Sequence, residues 1–299
     1  MKTKSYKGVI PALATPLHKD ETIDEEGLSR LIEYHISAGV GGIFVLGSMG
    51  EFAGLEDKEK WSLVKLTVEK VKGRVPVLAG ASDTGTKRVI KNVLMIKELG
   101  ADASVVLPPY FYFLPDQKEI FKFYADIAEK TEFPIVIYHN PVMTKVRVEF
   151  ETIFRLSKIE NIIGIKDSSG DYPLVERLIK EVKRDNFFVF QGDERRLAIA
   201  CAGGADGLVT GVGSLAPRVF VELYRAALKG DIKEANIGQE KVLKLLSFCG
   251  DSWIRAIKYG LKLLGLCEDY VCQPSTSFDD ITKEKVRFTL EGLGLYPRS

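Results

Sequence analysis

Short, nearly unbroken apolar runs alternate along the chain with longer stretches in which apolar residues return every three or four positions. The runs are GVIPALAT from Gly8, GIFVLG from Gly42, VPVLAGA from Val75, ASVVLP from Ala103, PIVIYHN from Pro134, IIGIKD from Ile162, FFVFQG from Phe187 and DGLVTG from Asp206. Rich in β-branched residues and lacking polar alternation, they suit strands covered on both faces. Between them the spacing predicts helices: Leu28, Leu31, Ile32, His35 and Ile36 share one face, and Asp24 is placed to cap the first turn. Gly39, Gly73 and Gly100 each fall just past such a pattern, where a left-handed residue closes a helix before the next strand.

The repeating unit is therefore strand, loop, helix, glycine, and eight such units fill residues 8 to about 229. Alternating strands and helices build parallel sheets buried on both sides. An α/β (β/α)8 TIM barrel over residues 1–229 fits eight units in one domain. A doubly wound open sheet is the rival, and periodicity does not separate the two, because strand order is invisible in it. From Asp231 onward the pattern is helical, with a break at Gln273-Pro274 and a last helix near Thr282 to Gly292. Residues 230–299 are read as a C-terminal helical region packed on the barrel.

Composition narrows the function classes. The 299 residues are 45% hydrophobic and carry 42 basic against 41 acidic side chains, so no charge footprint points to nucleic acid or an anionic membrane. No apolar segment approaches the roughly 18 residues of a membrane span, and no apolar leader follows the lysines of MKTKSYKG. Cys201, Cys249, Cys267 and Cys272 are thinly spread, with no C-x-x-C and no zinc spacing, which fits a reduced, cytoplasmic protein. His35 falls on a helix's buried stripe, and the other histidines, His18 and His139, form no metal-ligand pattern.

Candidate chemistry lies where the apolar runs end, since the C-terminal edge of the strands is the working face of a barrel. The second run ends in GSMGE (Gly47 to Glu51), the fifth in YHNP with Tyr138, the sixth in Lys166 and the seventh in GDE (Gly192, Asp193, Glu194). Tyr138 alternates onto the face of Val136, and Lys166 onto that of Gly164 and Ile162, so side chains at matching heights on adjacent strands can meet. A lysine in dry surroundings is a nucleophile: lowering its pKa from about 10.4 to about 7 takes roughly 5 kcal/mol, which lost hydration can supply. The neutral amine can then form a Schiff base with a carbonyl compound, and a nearby phenol can carry the proton. The bland alternatives are a snorkelling or paired lysine and a packed tyrosine. Likewise GSMGE is an anion cradle or an ordinary glycine turn, and Glu51, Asp193 and Glu194 bind hydroxyls or cap helices. GVGSLA (Gly211 to Ala216) lacks the acidic residue about 20 positions on that a dinucleotide site requires.

Taken together, GVIPALATP, GSMGE, IVIYHNP and GIKDSSGD, in this order and over nearly the whole chain, resemble the dihydrodipicolinate synthase and N-acetylneuraminate lyase family of pyruvate-dependent class I aldolases. The resemblance implies a barrel with added helices, often a homotetramer, and no metal or organic cofactor. It implies that Lys166 forms the Schiff base, that Tyr138 transfers protons, and that the backbone at Ser48 and Met49 holds the carboxylate of pyruvate. It places Val209 in the pyruvate pocket and Ser168 near the substrate.

Departures bear on the second substrate. Met143 stands where the synthase branch has an arginine that binds a carboxylate, Met49 where it has threonine, and Phe111 where it has a relay tyrosine, with Tyr110 and Tyr112 as possible substitutes. A thioether does not replace a bidentate clamp. The Asp193–Glu194 pair resembles the lyases, in which such a pair binds substrate hydroxyls, while Gly211 replaces a serine of the sialic acid lyases. The expectation is a class I aldolase cleaving a 2-keto-3-deoxy sugar acid to pyruvate and an aldehyde. The alternatives are 4-hydroxy-tetrahydrodipicolinate synthase, condensing pyruvate with aspartate semialdehyde through a different clamp, and a catalytically silent keto-acid-binding protein.

Overall fold

The computed structural model describes residues 5–111, 115–250, 253–275 and 279–297. Each apolar run contributes one strand: β1 (Gly8–Pro11), β2 (Ile43–Val45), β3 (Val77–Gly80), β4 (Ala103–Val106), β5 (Ile135–His139), β6 (Ile162–Asp167), β7 (Phe188–Gln191) and β8 (Gly207–Thr210). All pair in parallel, in the order β1-β8-β7-β6-β5-β4-β3-β2. A single parallel bridge between Ala12 and Phe44 joins the two ends. Around it the Gly41 N–H donates to Val9 O and the Leu13 N–H to Phe44 O, both at 2.8 Å. Chain order around a ring, where a doubly wound sheet would reverse, makes this a (β/α)8 barrel.

The helices form where the spacing places them. Asp24 accepts from the Gly27 N–H at 2.9 Å and opens helix Glu25–Ser37, which buries Leu28, Leu31, Ile32 and His35. Gly39, Gly73 and Gly100 hold φ of +80°, +69° and +85° at the ends of three helices, a region in which a side chain is strained. Fully buried His35 makes a 2.6 Å contact from Nδ1 to Leu31 O, and burial pushes its pKa down to about 4. It is a core residue.

Helices Ile232–Leu246, Trp253–Leu263 and Asp280–Gly292 make up the C-terminal region. The first packs closely on helix Pro217–Leu228, for a Cβ at Gly238 would lie 2.8 Å from that of Leu223, and the second packs on Leu215 through Gly260. No helix among the described residues is long and apolar enough to cross a membrane.

One local detail departs from strict alternation. Ile135 is registered with Ile162, but Val136 is registered with Gly164, so Ile163 is an extra residue in β6. Ile162 thereby aligns with Ile135 and not with the face of Lys166, whereas Gly164 and Lys166 stay in phase with Val136 and Tyr138.

The seam between β1 and β2 yields a test. A Cβ at Gly41 would lie 2.0 Å from Lys7 O and 3.1 Å from the Gly8 Cα. Gly41→Ala should therefore cost about 2 kcal/mol through forced separation of backbone. A lower denaturant midpoint at unchanged slope is expected, and a wild-type midpoint would show that the seam yields freely.

Candidate active site

Tyr138 and Lys166 are direct register partners near the C-terminal ends of β5 and β6, and both are 5% exposed. The lysine Nζ lies 4.0 Å from the Tyr138 ring centroid and 5.4 Å from that of Phe44 on β2, which places all three side chains in the barrel lumen. Two glycines make room for this. A Cβ at Gly164 would strike Phe188 O at 2.6 Å, and one at Gly192 would lie 2.2 Å from the Ser168 Oγ and 3.1 Å from the Lys166 Cε. Gly192 thus contributes space beside the amine, and Ser168 lies at the edge of the same gap.

Competing forces act on the phenol. Burial pushes the Tyr138 pKa up, but the charge of Lys166, followed by hydrogen bonds from Ser48, Asn140 and Lys166, pushes it down further and holds it below the usual tyrosine value. The Asn140 Nδ2 donates to the phenol oxygen at 3.1 Å. A phenol of this kind gives up its proton more readily than free tyrosine, as a proton carrier should.

Behind the lumen, the residues next in sequence form a second pair. His139 and Asp167 face away from the lumen and are fully buried, with Nδ1 2.6 Å from the Asp167 Oδ2. The Val148 N–H donates to Nε2 at 3.2 Å, so the ring's proton resides on Nδ1 and points at the carboxylate. The Ser169 N–H and hydroxyl donate to the Asp167 Oδ1 at 3.0 and 2.7 Å. The polar pair is thereby satisfied, and it fastens β5 to β6 at the level of the amine and phenol.

The loop after β2 brings Ser48 to the Tyr138 phenol and buries Met49. Glu51, at φ +56° in this loop, neither caps a helix nor faces open solvent: its Oε1 lies 2.5 Å from the Nζ of fully buried Lys258, and its Oε2 accepts from the Cys272 N–H at 2.8 Å. Beside the loop a cavity of about 640 Å³ opens, and its lining includes Ser48, Tyr110, Met143, Trp253, Arg255 and Pro274. Phe111 is 88% exposed and stands outside this wall; Tyr112 lies outside the described residues.

The remaining predicted residues lie on β8 and in the turn after β7. Both Asp193 oxygens accept from Arg195, at 2.8 Å from Nε and 3.2 Å from Nη2, and Asp193 also caps the short turn Glu194–Arg196. The Glu194 Oε1 accepts from the Thr210 hydroxyl at 2.8 Å and from the Gly211 and Val212 N–H groups at 2.9 and 3.3 Å. The backbone N–H groups of GVGSLA that a phosphate would need are taken by this carboxylate. Val209 is buried in β8 opposite Ile10. Among the described residues no group of three or more His, Cys, Asp or Glu could hold a metal ion. Burial pushes all four thiols up to about 12, which leaves none poised as a nucleophile.

The profile of the dihydrodipicolinate synthetase family matches residues 5–293. The chain belongs to that family. A relative from Bartonella bacilliformis, a 4-hydroxy-tetrahydrodipicolinate synthase, is 35% identical over 97% of this chain and 98% of its own. The dihydrodipicolinate synthase of Bacteroides thetaiotaomicron superposes with a TM-score of 0.90 at 35% identity, covering 96% of this chain and 98% of that one. YagE from E. coli K12, a family protein solved in complex with pyruvate, gives 0.92 at 29% identity, covering 97% and 99%. Members of the dihydrodipicolinate synthetase family are class I aldolases that work through a lysine Schiff base, without an external cofactor.

Three contributors to the site are absent from the sequence reading. Asn140 lies inside the YHNP motif and escapes notice because an asparagine before proline reads as a turn residue. Lys258 carries a signal: in WIRAIKYGLKL it falls on the apolar stripe of Ile254, Ile257 and Leu261, the same anomaly that marks Lys166. Arg255 carries none, since a cation beside an amphipathic helix's stripe is ordinary.

The phenol can be titrated directly. Tyr138 is shifted down, whereas burial shifts Tyr6, Tyr34, Tyr110, Tyr124, Tyr172 and Tyr224 up. In an absorbance titration of tyrosinate, Tyr138→Phe should remove an early-ionising component, and Lys166→Met should move that component to higher pH. An identical curve for Lys166→Met would show that the amine does not act on the phenol.

Proposed function

We propose that this protein is a pyruvate-dependent aldolase in which Lys166 forms the Schiff base and Tyr138 moves the protons. The observation that carries the reading is the buried amine lying 4.0 Å over the ring of a phenol whose pKa is held down. The amine in its neutral form adds to the keto carbon of pyruvate, and Tyr138 gives the proton with which the carbinolamine oxygen leaves as water, so that an iminium and a phenolate form. The phenolate takes a C3 proton, which leaves the enamine, and its carbon attacks the aldehyde carbon of the acceptor. The new alkoxide takes a proton from Tyr138, and water hydrolyses the product iminium, which frees the neutral Lys166 amine and returns a proton to the Tyr138 phenolate. Cleavage runs the same steps backwards. Ser48 and Met49, in the loop beside the phenol, are assigned to the pyruvate carboxylate, and Ser168, Gly192 and Val209 to the surroundings of the keto acid.

For the acceptor, the curated relatives support 4-hydroxy-tetrahydrodipicolinate synthesis from pyruvate and aspartate semialdehyde over cleavage of a 2-keto-3-deoxy sugar acid. The engagement of Asp193 with Arg195 and of Glu194 with the end of β8 weakens the case for a polyol held by those carboxylates. Met143 and Arg255 both line the cavity, and of the two only Arg255 is a cation. Arg255 is therefore assigned as the clamp for the acceptor's carboxylate, a role that a planar fork suits. A homotetramer belongs to the same reading, and exposed Leu228 and Ile232 supply apolar surface for assembly.

Two experiments test these assignments. Borohydride added with pyruvate should leave a mass adduct on the Lys166 peptide and none in Lys166→Met; an unmodified peptide in the wild type would refute the covalent role. Arg255→Gln should raise the KM for aspartate semialdehyde about tenfold or more while pyruvate trapping persists. Release of pyruvate from a 2-keto-3-deoxy acid, with no turnover of aspartate semialdehyde, would return the function to sugar-acid cleavage. Trapping without turnover of either would indicate a silent keto-acid binder.

A further inference from the structure

The Glu51–Lys258 ion pair is not used by the chemistry, yet it joins two parts of the site. On one side, Glu51 ends the GSMGE loop, and its N–H donates back to Ser48 O at 3.2 Å, so the carboxylate and Ser48 belong to one tight turn. On the other side, Lys258 lies in the helix that begins with Trp253 and donates also to Tyr270 O. The second Glu51 oxygen receives the Cys272 N–H. The segment so gripped, Cys272 to Ser275, forms the outer wall of the cavity.

Side-chain packing also joins these parts. A Cβ at Gly54, just past the loop, would lie 2.8 Å from the Cys272 Cβ, and one at Gly211 would lie 3.4 Å from the Trp253 ring and 3.7 Å from the Met49 Cβ. Loop, helix and tail segment thus meet at a buried charge pair beside the cavity. Burying two charges is a poor route to stability, because an apolar pair of similar volume generally does as well or better. What a charge pair adds is a defined geometry with directional bonds to backbone.

We propose that Glu51 and Lys258 are positioning residues: their ion pair couples the tail wall, residues 270–275, to the Gly47–Glu51 loop, so that the carboxylate cradle and the cavity wall hold one arrangement together. This rests on the assignment of that loop to the pyruvate carboxylate.

The double variant Glu51→Leu/Lys258→Met tests the coupling, since replacing both charges leaves no unpaired ion. Exchange of the pyruvate C3 protons in heavy water reads the first half-reaction without any acceptor. The KM for pyruvate in this exchange should rise about tenfold, with kcat within about twofold, as expected when ground-state placement is lost and the chemistry is kept. Amide hydrogen exchange should lose protection together in peptides spanning 46–55 and 269–275, with the strands unchanged. An unchanged pyruvate KM, or loss of protection confined to the tail peptide, overturns the proposal. If the double variant does not fold, Lys258→Arg carries the amide-exchange test: paired loss supports the coupling and loss in one segment alone refutes it. A wild-type protein that exchanges no pyruvate protons would instead sink the aldolase reading, and the amide-exchange arm decides the coupling in either case.

Discussion

A cation-forming group kept from water against aromatic faces is the constraint to which the rest of this molecule answers. Lys166 sits 4.0 Å over one ring and 5.4 Å from another, in a lumen where Gly164 and Gly192 let neighbouring backbone and side chains approach. Burial opposes ionisation of the Tyr138 phenol, and the charge of Lys166 together with the hydrogen bonds to the phenol outweighs it. Neither residue's chemistry can be understood without the other, and both depend on two short strands keeping their heights matched.

That matching is secured from the far side of the sheet. Because side chains alternate, the residues adjacent to Tyr138 and Lys166 point outward, and there His139 and Asp167 are locked by hydrogen bonds from Val148 and Ser169. The extra residue at Ile163 lies toward the other end of β6, so its irregularity is confined away from the Tyr138–Lys166 level. Strength at one end and slack at the other is a sensible division for a strand that must place one atom well.

Much of this was legible in the sequence, and the parts that were not share a cause. Periodicity identifies eight strands, and a lysine ending an oily run marks itself, because burial of such a group requires a reason. The alternation rule fails at Ile162, since no local signal distinguishes a bulge from a regular run. The carboxylates of Asp193 and Glu194 read as ligands for hydroxyls because their actual partners, Arg195 two residues away and the turn after β8, depend on how the loop closes. Residues of the tail, Arg255 and Lys258 among them, are brought to the mouth by long-range docking, which a one-dimensional pattern does not encode.

The bareness of Gly192 also has an evolutionary consequence. With Ser168 and the Lys166 stem occupying the space where any side chain would begin, the floor of the chamber has no room to diversify. Descendants of this chain that acquire new tastes would be expected to do so by remodelling the rim, where Met143, Trp253 and Pro274 border open volume. Inheritance of the reaction and drift in its clientele are thereby assigned to different ends of the same well.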